Sequence, residues 1–119
     1  MNYTEFGEYF RILRIKNHEV LADAKKFLEV SSAFISSVEC GKRPIPSDWF
    51  EKIATHYNLN NDERKELKEA IERSSKVLKI NLENVNQTQK NVAIQFQRSF
   101  DDLDEDTAQK IMDILKRNA

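Results

Sequence analysis

The sequence predicts a mostly α-helical protein: five helices over residues 1–75, then an extension over 76–119 made of a short strand or arm and a helical hairpin. Three observations carry this. The 119 residues include only two glycines and two prolines, too little turn material for many strands. Apolar residues recur at helical spacing in most segments. Ser, Asn and Asp stand where several of these segments begin, and their side-chain oxygens are suited to accept from the first free backbone N–H groups.

The first helix is predicted from about Thr4 to Asn17, with Phe6, Phe10 and Leu13 at i, i+4 and i+7 as its buried face and Arg14 beside that stripe. A second covers about Leu21 to Leu28. A third covers about Ser32 to Cys40, capped by Ser31 and left through Gly41 in a left-handed conformation. Lys42-Arg43-Pro44-Ile45-Pro46 reads as a stiff basic connection. Ser47 then caps a helix from about Asp48 to Tyr57, whose apolar face is Trp49, Phe50, Ile53 and Ala54 and whose stop is Asn58. Leu59 followed by Asn60-Asn61-Asp62-Glu63 reads as a capping box with an apolar residue just outside, opening a fifth helix that reaches Ser74 or Ser75. Its inward residues, Leu67, Ala70 and Ile71, are sparse, and the alternating charges of the other face are solvated.

From Lys76 the pattern changes. Leu78, Ile80 and Leu82 alternate with Lys79, Asn81 and Glu83, which predicts a short strand or arm over 77–83. A lone strand leaves its edges unsatisfied, so it either pairs with a copy of itself in another subunit or lies as an extended arm on the domain. Asn84 to Asn91 reads as a polar hinge. Val92, Ile94, Phe96 and Phe100 predict a helix over about 88–99. Asp104 caps a last one over about 105–117, with Ala108, Ile111, Ile114 and Leu115 as an apolar stripe and Leu103 just outside. So small a hairpin cannot bury both stripes alone. A homodimer is expected, with its interface at Leu78, Ile80, Leu82, Ile111, Ile114 and Leu115.

Charge and composition narrow the function. The chain carries 19 basic and 20 acidic residues, and residues 1–60 hold eight of each. Attraction by bulk positive charge is excluded, so any nucleic-acid contact depends on local placement and on dimerisation. The single Cys40 offers no disulfide and fits a reducing compartment; a redox-sensing thiol is the sharper reading there, and a small residue closing a helix the plainer one. No window approaches eighteen uninterrupted apolar residues, and Met1 to Glu5 lacks a basic-then-apolar leader, so a soluble cytoplasmic protein without membrane contact is expected. His18, His56 and Cys40 have neither the spacing of metal ligands nor that of a nucleophile and its base. Asp102-Leu103-Asp104-Glu105-Asp106 resembles the start of a calcium loop with Asp113 at its last position. Thr107 replaces the required Gly, however, and Asp113 the bidentate Glu, so helix capping is the reading. No enzyme activity, cofactor or metal is expected.

The most informative stretch is Leu28 to Arg43: a short turn, a helix with a polar outer stripe, and a basic exit. Val30, Ile35 and Val38 are spaced to dock one side on a core, while Ser32, Ala33, Ser36 and Ser37 fall on the other. That outer side is small, polar and nearly uncharged, so it can approach a groove floor closely and offer hydroxyls to base edges. Phe34 could stack on a base or touch a thymine methyl, but its spacing from Val30 and Val38 favours a core role.

These residues resemble the lambda-repressor-like (XRE-type) helix-turn-helix family of transcription regulators. Leu21-Ala22-Asp23-Ala24-Lys25-Lys26-Phe27-Leu28 is similar to its first motif helix and Val30-Ser31 to its turn. Ile35-Ser36 and Glu39-x-Gly41-Lys42 are similar to its recognition helix and exit, and Pro46-Ser47 through Ile53-Ala54 to its next helix. The resemblance covers about residues 4–75. It implies a lambda-repressor-like five-helix domain reading palindromic double-stranded operator DNA as a dimer, as repressors of phage or mobile-element type do. It further implies Ser32, Ala33, Ser36 and Ser37 as base-reading residues, Ser31, Lys42 and Arg43 as phosphate contacts, and an orienting pair of Arg14 with Glu39. Three features depart from the family pattern: Glu29 stands where a left-handed Gly is usual, Val20 where a Ser or Thr cap is common, and the pair Ala24-Lys25 where Leu-Ala is usual. A different class of function is an antitoxin-like or adaptor protein that binds another protein through residues 76–119, with DNA binding secondary.

Overall fold

Thr4 has extended backbone, and its hydroxyl accepts the Gly7 N–H at 3.0 Å, which starts the first helix. From there the chain is helical in all its regular elements. The computed structural model describes residues 2–117 and contains α1 (Glu5–Lys16), α2 (Leu21–Leu28), α3 (Ser32–Glu39), α4 (Trp49–His56), α5 (Asn61–Ser74), α6 (Gln87–Ser99), a 3-10 turn (Phe100–Asp102) and α7 (Glu105–Arg117). No strand occurs among the described residues. No helix among them is long and apolar enough to cross a membrane. The chain divides into two units, Met1–Leu78 and Lys79–Ala119, a boundary just beyond the predicted one.

In the first unit, α1 packs on α3 and α5, α2 on α3 and α4, and α4 on α5. The core at the centre is built from Phe6, Phe10, Leu28, Ile35, Val38, Trp49, Ile53 and Leu67, all essentially inaccessible. Trp49 ties three helices together: its ring lies 6.1 Å from Phe6, 6.2 Å from Phe10 and 6.1 Å from Phe34, centroid to centroid. Each such large apolar side chain contributes about 1.5–3 kcal/mol when removed from water. The inward faces predicted for α1, α3, α4 and α5 are the buried ones, with Val30, Phe34, Phe50 and Ile71 packed at the margin, and α2 adds Ala24 and Leu28.

The helix ends follow local chemistry. Asn60 and Glu63 form the reciprocal box at α5, with Asn60 Oδ1 accepting from Glu63 N at 2.8 Å and Glu63 Oε1 from Asn60 N at 3.0 Å. Leu59 just outside is buried. At α2 the departure at Val20 leaves one half of a capping box: Asp23 Oδ2 accepts the Val20 N–H at 2.8 Å, while no side chain at position 20 accepts in return. Ser47 does not cap α4. Asp48 takes the cap position with helical backbone, and the Trp49 N–H donates to the Pro46 carbonyl at 3.1 Å. That tight turn closes the entry without a side-chain acceptor, and Asp48 pairs outward with Lys52 at 3.0 Å.

The strand predicted over 77–83 is absent. That segment has no regular structure, and Val77, Leu78 and Ile80 are 74%, 72% and 73% exposed. Alternating side chains define two faces, but an extended segment needs a neighbouring ladder to satisfy its N–H and C=O groups, and no strand stands beside this one among the described residues. The alternative reading, an extended arm lying on the domain, is not met either, because Val77 and Leu78 are exposed.

The second unit holds the two predicted helices, α6 and α7, with the 3-10 turn between them. Asn86 and Gln89 box the start of α6, and Asp104 Oδ1 accepts the Thr107 N–H at 2.7 Å to start α7. That bond holds the Asp104 carboxyl below its usual range. Neither helix has a buried residue. Phe96 stacks on Phe100 at 5.4 Å, and Ile94, Leu103, Ala108 and Ile111 are half-buried.

Candidate nucleic-acid interface

The turn into α3 is made by Glu29, whose backbone is left-handed at φ 57° and ψ 44° although it is not a glycine. Val30 then tucks against the core, and Ser31 caps α3 by accepting the Phe34 N–H at 3.1 Å. As an acceptor, Ser31 keeps its own O–H proton to donate to an external anion. One side of α3 buries Ile35, Val38 and Glu39. On the other, Ala33 is exposed and Ser32, Ser36 and Ser37 are half-exposed.

The hydroxyls of that outer side are uncommitted. Elsewhere in the chain, helical serines bond back to the preceding turn: Ser74 donates to the Ala70 carbonyl at 2.7 Å and Ser75 to that of Ile71 at 2.8 Å. Among the described residues, no such bond engages the side chains of Ser32, Ser36 or Ser37. They are therefore available as donors and acceptors.

Gly41, at φ 77°, turns the chain out of α3, and Lys42 and Arg43 both donate their backbone N–H to the Ser37 carbonyl, at 2.8 and 3.2 Å. Both side chains are exposed. The Arg43 guanidinium lies over the Phe34 ring at 5.2 Å, so Phe34 has one edge on Trp49 and a face under a cation. Phe34 is thus packed against the core, on the side its spacing from Val30 and Val38 predicts.

Arg14 and Glu39 form the pair that the resemblance implies, with Nη1 3.1 Å from Oε2 and both residues buried. The same guanidinium covers the Phe10 ring at 4.6 Å. Burial pushes the Glu39 carboxyl above its ordinary 4.5, and the bond and charge of Arg14 pull part of the way back.

Three parts of this site were not foreseen from sequence. Glu39 is also held by its backbone: Thr4 donates both its N–H, at 2.9 Å, and its hydroxyl, at 3.1 Å, to the Glu39 carbonyl. A Cβ on Gly7 would overlap that carbonyl, so the close approach of α1 to the end of α3 requires glycine. An isolated Gly inside a helical pattern was the available signal. The second part is Asn2, which lines a cleft of about 470 Å³ with Ser36, Ser37, Cys40 and Lys42. The third fixes the turn between α1 and α2. Glu19 accepts from the Tyr57 hydroxyl at 2.7 Å and lies 2.9 Å from His56 Nε2, while Phe27 stacks on the His56 ring at 3.9 Å. Burial, followed by the bond and charge of Glu19, drives the Tyr57 hydroxyl pKa far upward. These contacts lie far apart in sequence and leave no local pattern.

The predicted interface residues of the extension divide between the units. Leu78 ends the first, 72% exposed, while Ile80 at 73% and half-buried Leu82 fall in the second. Half-buried Ile111, Ile114 at 51% exposure and Leu115 at 59% share one side of α7.

No family model, no curated protein and no solved structure matches this chain.

Proposed function

We propose that this protein is a sequence-specific DNA-binding transcription regulator that acts by binding and not by catalysis. In this reading a homodimer places α3 of each subunit in the major groove of a palindromic operator. The observation that carries it is the outer side of α3: three serine hydroxyls without side-chain partners around an exposed Ala33, with Lys42 and Arg43 at the exit. Ser32, Ala33, Ser36 and Ser37 read base edges, and Ser31, Lys42 and Arg43 hold phosphates. The Arg14–Glu39 pair and the Thr4 clasp support this by setting the direction of α3. The sequence resemblance to the lambda-repressor-like family supports this reading, and with it we propose a repressor of phage or mobile-element type.

A second reading has one observation in its favour. Neither helix of the second unit has a buried residue, although Val92, Phe100, Met112 and Leu115 are large and exposed. Under that reading the extension is an adaptor for another protein and DNA binding is secondary. The experiment is a salt titration of binding to DNA from the protein's own promoter region, beside random duplex of equal length. A regulator binds the promoter tightly, with a steep salt dependence and a large ratio over random DNA. Equal weak binding to both favours the adaptor.

A further inference from the structure

Asn2 lies two residues before a fixed point of the chain. Thr4 is bonded twice to the Glu39 carbonyl and its methyl meets Gly41, and Tyr3 sits beneath the Arg11 guanidinium at 5.3 Å. The start of the described chain is therefore held against the exit of α3. Asn2 is exposed there, across the cleft from Ser36, Ser37 and Lys42. Its amide combines a donor and an acceptor at fixed separation, which matches the N6–H and N7 of adenine as no hydroxyl can. The serine side of α3 has no such group.

Building on the proposed DNA reading, we infer that Asn2 is a further base-reading residue, which recognises an adenine next to the bases met by Ser36 and Ser37. The recognition surface is then two-part: single hydroxyls from α3 and one bidentate amide from the segment before α1. Lys42, in the same cleft, holds the adjoining phosphate.

The test uses the full-length chain, with any purification tag at the C-terminus, to select from a pool of randomised duplexes. The parent, Asn2→Ala, Asn2→Gln and Ser37→Ala proteins are compared on the selected sites. Asn2→Ala should lose an adenine preference at one position in each half-site, with roughly tenfold weaker binding to the selected site and no change on random DNA. Asn2→Gln, which keeps the amide, should restore part of that preference. If Asn2→Ala selects the same sites as the parent while Ser37→Ala shifts its sites, Asn2 is not a reader and the DNA reading stands. If the parent selects no sequence at all, the DNA reading fails and this inference with it. Asn2 is exposed, so equal melting of parent and variant is expected and separates readout from folding.

Discussion

Arg14 and Glu39, twenty-five residues apart in sequence, meet at 3.1 Å inside the first unit and join α1 to the last residue of α3. Removing one partner leaves the other buried and unpaired. Arg14→Met should therefore lower stability by about 3 kcal/mol or more, while an apolar replacement of both residues recovers part of the loss. Urea denaturation of the three proteins measures this, and unchanged melting of the single variant would remove the pair from the account.

The same carboxylate makes a pH prediction. With its pKa above the ordinary 4.5, Glu39 takes up a proton more readily in the folded chain than in the unfolded one. Its contribution to stability is thus fully present below 4.5 and is lost as pH rises through the folded value. Glu39→Gln lacks this linkage. On acidification from neutral pH, the stability difference between parent and variant should move in the parent's favour; a flat difference would show that burial does not outweigh Arg14.

Gly7→Ala forces a methyl into the Glu39 carbonyl, and the group in its way is backbone. Destabilisation of about 1–3 kcal/mol is expected, although alanine is the better helix former. A variant as stable as the parent would mean that α1 and α3 can separate there at no cost.

At the proposed interface, Ser32→Ala or Ser37→Ala should weaken operator binding by about 1 kcal/mol and relax preference at one base position per half-site. Replacing Lys42 and Arg43 together should weaken specific and random DNA alike. In a dimer it should reduce the salt slope by up to about four units. A slope that does not move would take both residues off the DNA.

Assembly is tested by truncation. A chain ending near Ser75 keeps every buried core residue, and it keeps Ser74, whose hydroxyl accepts the Phe6 N–H at 2.9 Å. It should stay folded, sediment as a monomer and lose most operator affinity, because two linked half-sites bind far more tightly than one. A full-length monomer at micromolar concentration, or a truncation that dimerises as well, would falsify the assignment.

The helices of the first unit were legible because apolar spacing and capping residues are local signals: Asn60 with Glu63, and Ser31 before α3, act as read. The inward set of Phe6, Phe10, Ile35, Val38, Trp49 and Leu67 followed from the same spacing. The strand failed for the opposite reason, since alternation at Leu78, Ile80 and Leu82 says nothing about whether a neighbouring strand exists. Ser47 failed because a backbone turn from Pro46 replaced its bond. The clasp of Thr4 and Gly7 on Glu39, and the meeting of Glu19, His56 and Tyr57, join distant parts of the chain. No single window of sequence contains them.

His18, Glu29 and Asn58 hold left-handed backbone at φ 57°, 57° and 50° without being glycine. Glycine at any of them would relieve at most about 1 kcal/mol, and none of the three belongs to the core or to the outer side of α3. Each of these turns therefore carries a backbone cost that the surrounding fold offsets. In a cell, margins of that size set how often a protein opens to proteases, so these three turns bear on its lifetime and abundance as well as on its shape.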